Sequence, residues 1–159
     1  MRLPPQIQSR LFLWAWRLAH QRQPDFVIGP PEQPYLERWW IIPRNHVFNI
    51  YLHKINKSDD DRALHDHPWV NASVLLNGSY VEVTPTEPGL LRVEGDVVLR
   101  RAVAAHRLVV PDRRHVWSLF LTGPNIRTWG FHCPQGWIPW REFCEPTNKG
   151  QIGKGCGEA

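Results

Sequence analysis

The sequence predicts an all-β jelly-roll barrel preceded by one amphipathic helix. From Tyr35 onward, short apolar segments are separated by turn residues such as Asn77-Gly78, at the interval expected of a barrel or sandwich. Before them, apolar side chains recur at helical spacing. A chain of 159 residues is long enough to bury one full core and short for two domains.

The helix is predicted over residues 5–21. Its apolar side chains lie on one row and continue on a neighbouring row: Ile7, Leu11, Trp14 and Leu18, then Phe12, Ala15 and Ala19. We expect this helix to pack on the barrel or on a second subunit. Because Arg10, Arg17 and Arg22 flank its aromatic residues, attachment to a membrane surface is the alternative. The helix and the proline-rich connector after it form an N-terminal segment, residues 1–34.

The barrel is predicted to span residues 35–145. We predict strands at 36–42, 47–55, 69–76, 79–84, 90–93, 96–100, 106–110, 116–121 and 126–132. The Asn77-Gly78 pair predicts a tight hairpin after the 69–76 strand. Residues 146–159 are rich in glycine and lysine and show no periodicity, so we expect a flexible tail there.

Two histidines separated by one residue, His65 and His67, carry the main functional signal. On a β-strand, residues i and i+2 project from the same face, so both imidazoles can reach one metal ion. Two histidines alone hold a first-row metal weakly, and a third ligand should come from elsewhere in the chain. His106 is the best candidate for that ligand.

The spacing of these histidines resembles the two motifs of the cupin superfamily. The first motif is matched by His65 and His67 and by its closing glycine, Gly78. The second reads Gly, five residues, Pro-x-Gly, two residues, His, and it is matched by Gly95 and His106. The resemblance covers roughly residues 59–110, which correspond to the sheet core of a cupin.

Three positions depart from the cupin motifs. Arg101 and Val103 replace the proline and the second glycine of the second motif, and Asn71 occupies the position of the metal-binding glutamate. The resemblance therefore implies a cupin jelly roll with a three-histidine site of His65, His67 and His106. In that site Asn71 is expected to be a weak ligand or to support the ligands from behind.

The implied chemistry is oxidative. Three-histidine cupins include iron-dependent dioxygenases of thiols and diketones, and His65-Asp66-His67-Pro68 is similar to the corresponding segment of cysteamine and plant cysteine dioxygenases. The resemblance implies a divalent metal, with Fe(II) favoured and Zn, Mn or Ni as alternatives, and a small anionic or chelating substrate that reacts with O₂. Two other classes stay open: a non-catalytic metal- or ligand-binding cupin, and a cupin isomerase or epimerase with a histidine base beside a tyrosine acid.

Several residues are candidates for contact with a substrate. Asn49, Tyr51 and His53 alternate on one face of the 47–55 strand, which lines the cavity or faces solvent. A guanidinium binds a carboxylate through two hydrogen bonds, which makes arginines near the motif of interest. The predicted substrate-binding residues are Tyr51, His53, Arg62, Trp69, Arg127 and Trp129.

The charge pattern argues against nucleic acid as a partner. The formal net charge is +4, but the basic residues are scattered and an acidic run, Asp59-Asp60-Asp61, interrupts them. An anionic small molecule suits this mildly positive surface equally well. By analogy with other cupins, a homodimer formed through residues 5–42 is a further expectation.

The cysteines and the apolar N-terminal run predict a cytoplasmic protein. Cys133, Cys144 and Cys156 form an odd set without ligand-like or redox spacing, so we expect reduced thiols. The apolar run 11–16 is too short to span a bilayer and lacks the cleavage site of a signal peptide.

Overall fold

The computed structural model describes residues 1–30, 32–59, 63–111, 114–145 and 153–157. Its helices are α1 (Pro5–Gln21) and α2 (Trp140–Phe143). Its strands are β1 (Phe26–Ile28), β2 (Leu36–Trp40), β3 (Asn49–Ile55), β4 (Leu64–His65), β5 (Asn71–Asn77), β6 (Tyr80–Val83), β7 (Leu90–Arg92), β8 (Val97–Arg100), β9 (Arg107–Val109), β10 (Val116–Thr122), β11 (Gly130–Cys133) and β12 (Gly136–Pro139).

The strands form antiparallel sheets on two sides of a cavity. One side is a six-stranded sheet with the order β1-β2-β3-β10-β5-β8. The other side consists of two three-stranded sheets, β12-β11-β4 and β7-β6-β9. A bridge between His65 and His106 joins these two sheets, with a 2.9 Å backbone hydrogen bond in each direction. The predicted all-β jelly roll is confirmed, and the bridge that joins the smaller sheets carries two of the three candidate ligands.

The core between the layers follows from strand alternation. Leu36, Ile55, Leu75 and Val116 project inward from the large sheet and pack against Tyr80 of β6. Successive residues of a strand face opposite sides of the sheet, so the residues between these inward-facing positions lie on the outer face of the large sheet. Leu36, Ile55 and Tyr80 of this core also line the cavity between the layers.

Helix α1 covers the outer face of the large sheet, so it packs on the barrel, one of the arrangements predicted for it. Ala15 is fully buried against Trp39, Leu52 and Trp117, and its neighbours Leu11, Phe12, Leu18, Ala19 pack beside it. Ile7 and Trp14, predicted to lie on the apolar face, are 49% and 40% exposed. Within the described part of the chain, no helix has the length and hydrophobicity needed to cross a membrane.

The turn at Asn77-Gly78 is present, but the predicted hairpin is wrong. Gly78 has a φ of 85°, and a Cβ there would lie 2.7 Å from the carbonyl oxygen of His115. However, β5 pairs with β10 and β8, whereas β6 pairs with β7 and β9. The turn therefore carries the chain from one layer to the other.

Some elements were not predicted. β1 lies within the expected connector, β4 and β12 are additional short strands, and the strand expected over 126–132 begins at Gly130. The predicted strand around 69–76 begins at Asn71, after the histidine motif.

The C-terminal residues differ from the expected tail where the structure describes them. Residues 146–152, 158 and 159 of the predicted tail lie outside the described residues. Within 153–157, the Gly153 amide donates to the Phe143 carbonyl (2.9 Å), and Cys156 forms a disulfide with Cys133. The expectation of three reduced thiols was therefore wrong, because folding brings together two cysteines that are 23 residues apart. Cys144 is buried and does not take part in this disulfide.

Candidate metal centre

Three histidines converge on one wall of the cavity. One ring nitrogen from each of His65, His67 and His106 lies within 4.8 Å of the others. Nε2 of His67 and Nε2 of His106 face each other at 2.9 Å. The cluster predicted from the motif spacing is therefore present.

The two histidines of the motif reach the cluster by different routes. β4 ends at His65, and His67 lies beyond it in extended backbone whose amide donates to the Ala102 carbonyl (3.0 Å). The prediction that one strand carries both residues was therefore wrong, although their rings are 5.2 Å apart. The alternation of extended backbone still places them on one side and Asp66 on the other.

Asp66 fixes the backbone between the two ligands. Its carboxylate is 1% exposed and accepts hydrogen bonds from the Gly130 amide (2.9 Å) and from Nε1 of Trp137 (3.0 Å). Nη1 of Arg127 lies 2.9 Å from it and also donates to the His67 carbonyl (3.2 Å). These hydrogen bonds satisfy the buried carboxylate and tie the segment between the two histidines to β11 and to Arg127.

Glu82 orients His106. Nδ1 of His106 donates to Oε1 of Glu82 (3.0 Å), which also accepts a hydrogen bond from Nε of Arg100 (2.7 Å). Oε2 accepts a hydrogen bond from Nε of Arg92 (2.7 Å). With the proton of the neutral imidazole held on Nδ1, the Nε2 lone pair points towards His67 and is available to a metal.

Burial keeps the imidazoles of His106 and His67 neutral. Burial lowers the pKa of His106 to about 4, although the hydrogen bond to Glu82 offsets part of the effect. Burial, followed by the neighbouring His65 and His106, lowers the pKa of His67 well below its usual value. Burial alone would raise the pKa of Glu82, but the His106 hydrogen bond and the Arg100 charge hold it well below its usual range. Neutral imidazoles are the form that binds metals.

His65 has a carboxylate behind it as well. Its Nδ1 lies 3.7 Å from Oδ2 of Asp59, a carboxylate that accepts hydrogen bonds from the Leu108 amide (2.7 Å) and from the hydroxyl of Tyr35. This arrangement leaves Nε2 of His65 as the atom available for the cluster.

Asn71 is buried with both polar atoms of its amide unpaired among the described residues. It lies on β5 two residues before Ser73, which lines the cavity, so both belong to the same face of the strand. A buried amide without partners is costly unless something satisfies it. Its role as a weak ligand or a support for the ligands stays a prediction.

The cavity beside the histidines has a volume of about 540 Å³. Four of the six predicted substrate-binding residues line it: Tyr51, His53, Trp69 and Trp129. Arg127 instead pairs with Asp66, and Arg62 lies outside the described residues. Tyr51 and His53 show that this face of β3 lines the cavity and does not face solvent. Asn49, on the same face, is buried, and its side-chain amide donates to the Asn45 carbonyl.

Sequence reasoning missed three functional residues, Arg38, Glu82 and Arg100. Glu82 and Arg100 lie behind the ligands, and Arg38 lines the cavity on β2. For Arg38 a signal existed, since it lies two residues before Trp40 on the same face of a predicted strand, and both line the cavity. For the other two the signal depends on strand pairing that the sequence does not reveal.

The spacing of His67 and His106 fits two ligands of one divalent metal, and a ring nitrogen of His65 lies within 4.8 Å of both. A metal–nitrogen bond of about 2.1 Å, with two such bonds at right angles, separates the nitrogens by about 3 Å. The 2.9 Å between the Nε2 atoms of His67 and His106 matches that spacing. Glu82 supplies the hydrogen bond that metal-binding histidines usually have on their second ring nitrogen, and the carboxylate of Asp59 lies 3.7 Å from Nδ1 of His65.

Comparison with known proteins places the chain by fold. No protein family model matches the sequence, and no curated protein matches it. Solved structures do match. The dimethylsulfoniopropionate (DMSP) lyase DddQ from Ruegeria pomeroyi has a TM-score of 0.52 and 17% identity over 69% of this chain, which spans 57% of the lyase.

Two further structures agree with this fold. A cupin-like protein from Thermotoga maritima has a TM-score of 0.53 and 11% identity, with 74% of this chain and 86% of that protein covered. A double-stranded β-helix protein from Klebsiella pneumoniae has a TM-score of 0.50 and 10% identity, with 66% and 90% covered. The chain has the cupin fold, with three histidines placed together as a possible metal site.

Proposed function

We propose that this chain is a metal-dependent cupin enzyme, and that it is an Fe(II) dioxygenase acting on a small anionic or chelating substrate. The observation that carries the proposal is the convergence of three imidazoles on the wall of a cavity of about 540 Å³. Such a ligand set leaves the ion its full charge and several open positions. When bound there, Fe(II) would supply the sites at which substrate and O₂ meet and the path for electrons between them.

The residues of the chain have separate tasks in this proposal. His65, His67 and His106 hold the ion, and Glu82 keeps the proton of His106 on Nδ1. The aromatic wall, which includes Trp69, Phe120 and Trp129, excludes water and orients the substrate. Zn, Mn or Ni in the same ligands would act as a Lewis acid or serve a binding function, and they are the alternatives to iron.

The isomerase or epimerase alternative has weaker support. It needs a histidine base beside a tyrosine acid, and Tyr51 and His53 do lie together in the cavity, with ring centroids 6.0 Å apart. However, Nε2 of His53 already accepts a hydrogen bond from Nε of Arg38 (2.8 Å). A base whose lone pair is occupied in this way is poorly placed to remove a proton from a substrate.

The proposed partners and the proposed location are not tested by the geometry of the site. A small-molecule substrate, O₂ and a homodimer remain proposals, as does a cytoplasmic location. The Cys133–Cys156 disulfide weighs against the cytoplasm, because disulfides persist mainly in oxidising compartments.

Metal analysis followed by oxygen consumption tests the proposal. We expect tag-free protein to bind one equivalent of Fe(II), and His106→Ala to lose it, while His46→Ala, which alters an exposed histidine, keeps it. With thiols, diketones and aromatic acids as candidate substrates, we expect one O₂ consumed per product without an added reductant, since a dioxygenase places both oxygen atoms in its product. Absence of metal after reconstitution with Fe(II), Mn(II) and Zn(II) would exclude a metalloenzyme.

A further inference from the structure

Arg38 is a cation on the cavity wall. It lies on β2, opposite Phe26 of β1 and His53 of β3 in the strand register. Its guanidinium stacks on the ring of Tyr51 (4.9 Å) and on that of Phe26 (5.8 Å). The side chain is therefore held in place by aromatic rings on the cavity side of the large sheet.

The hydrogen bond to His53 uses one of the five donors of Arg38. Nε of Arg38 donates to Nε2 of His53 (2.8 Å), which places the proton of that neutral imidazole on Nδ1. Burial, together with the Arg38 charge, lowers the pKa of His53 well below its usual value. His53 thus accepts from Arg38 and does not neutralise it, and the two terminal nitrogens remain as donors.

Three other buried or half-buried arginines have carboxylate partners, whereas Nε of the half-buried Arg107 on β9 has no hydrogen-bond partner among the described residues. Arg92 and Arg100 pair with Glu82, and Arg127 pairs with Asp66. The described residues give Arg38 no such partner. The carboxylate next to it in sequence, Glu37, lies on the opposite face of β2 and pairs with Lys54 at 2.8 Å.

This charge is retained at neutral pH. Burial lowers the pKa of Arg38 to about 10, so the group remains protonated. A desolvated cation that lacks an anionic partner is unfavourable, and an anion entering the cavity would remove that cost. Arg44 also lines the cavity, but it is exposed to solvent and stacks on Trp40 at 5.4 Å. Because the desolvated charge of Arg38 lies among aromatic rings, the best match is a single carboxylate on an apolar body.

Arg38 and the histidine cluster face the same cavity. The ring of His53 stacks on Phe120 at 5.0 Å, and Phe120 lies 5.9 Å from the ring of His67. Two aromatic rings therefore separate the guanidinium from a candidate metal ligand. A molecule held at one end by Arg38 would extend along this wall towards the histidines.

We propose that Arg38 forms a carboxylate-binding subsite, so that the substrate is a small monocarboxylate whose other end reaches the metal. The inference deepens the proposed function and rests on it for the role of the bound molecule as substrate. Carboxylate binding itself requires only the cavity and Arg38.

Binding of matched acids and amides tests the subsite. We would titrate acetate, phenylacetate and indole-3-acetate, and their neutral amides, into metal-free and metal-loaded protein by calorimetry. At least one acid should bind tenfold or more tightly than its amide, and Arg38→Gln should remove that preference, whereas Arg38→Lys should keep part of it. Arg141→Gln is the control, because it removes the same charge at an exposed arginine stacked on Trp140. This variant should keep the preference for the acid.

The outcomes separate the subsite from the proposed function. If wild-type protein prefers none of the acids over its amide, or if Arg38→Gln retains the preference, the carboxylate subsite is rejected. Metal content is measured on the same samples, so a wild-type protein that binds metal but prefers no acid over its amide rejects the subsite alone. Acid preference in a protein that binds no metal rejects the metalloenzyme and keeps the subsite. The comparison of acid with amide in wild-type protein does not depend on how any variant folds.

Discussion

Glu82 is the residue on which the interactions behind the metal site converge. It is 1% exposed, and it contacts His106, Arg100 and Arg92. Arg100 in turn donates to the hydroxyl of Ser73 (3.1 Å) and to the hydroxyl of Tyr80 (3.3 Å). Burial raises the pKa of Tyr80. The Glu82 carboxylate therefore compensates the charges of Arg100 and Arg92 and sets the tautomer of His106, a candidate metal ligand.

Glu82→Gln should weaken metal binding and destabilise the protein. Loss of the charge leaves Arg100 buried without a carboxylate, which should lower the free energy of unfolding by about 3–5 kcal/mol. Loss of the acceptor behind His106 should reduce metal affinity about 10–100-fold. Urea unfolding of the metal-free protein and a competition titration with a metal chelator measure the two effects separately.

Glu87→Gln is the control for this change, because Glu87 is exposed and its substitution should alter stability by less than about 0.5 kcal/mol. A Glu82→Gln protein with unchanged metal affinity would show that His106 does not depend on this carboxylate.

The three histidines were predictable from the sequence, and the residues that support them were not. Spacing identifies His65, His67 and His106 because a recurring motif fixes their distances along the chain. Glu82 lies 24 residues from His106, and Arg38 lies 15 residues from His53. Their partnerships exist only after β6 has paired with β9 and β2 with β3, and a single sequence does not specify those registers.

At the scale of elements, length decided what could be predicted. Helix α1 was predicted with the observed bounds because its pattern persists over 17 residues. β1 and β4 contain three and two residues, too few for alternation to be recognised, and they form through pairing with β2 and β11. The exchange of layers at Asn77-Gly78 was missed for a related reason, since the same turn residues serve hairpins and crossings alike.

The disulfide joins β11 to the C-terminal segment 153–157, and thiol labelling can verify it. We expect unfolded protein without reductant to react with one alkylating group, at Cys144, and reduced protein to react with three. Cys156→Ser should lower the free energy of unfolding by about 2–4 kcal/mol, since it releases a cross-link between residues 23 apart. Mass spectrometry of the labelled protein gives the count. Three labels without reductant would contradict the disulfide and show that all three cysteines are reduced, as the sequence predicts.

At the scale of the whole molecule, the candidate metal centre lies at a joint of the fold. His65 belongs to β4 and His106 immediately precedes β9, so the two ligands come from the two smaller sheets. Two backbone hydrogen bonds of 2.9 Å join the two sheets at this bridge. A bound ion would therefore connect the two sheets at the place where they meet, and it would bind the native state far better than the unfolded chain.

Metal loading should consequently raise the thermal stability of the whole molecule. At a free metal concentration one hundred times Kd, linkage stabilises the native state by about 2.7 kcal/mol. Since about 1 kcal/mol shifts Tm by roughly 2–4 °C for a domain of this size, we expect a rise of roughly 5–11 °C in calorimetry. His106→Ala should abolish the rise, whereas His46→Ala should keep it. An equal rise in both variants would mean that the stabilising ion binds elsewhere, because a site that joins the two sheets should not hold its ion without His106, the candidate ligand next to β9.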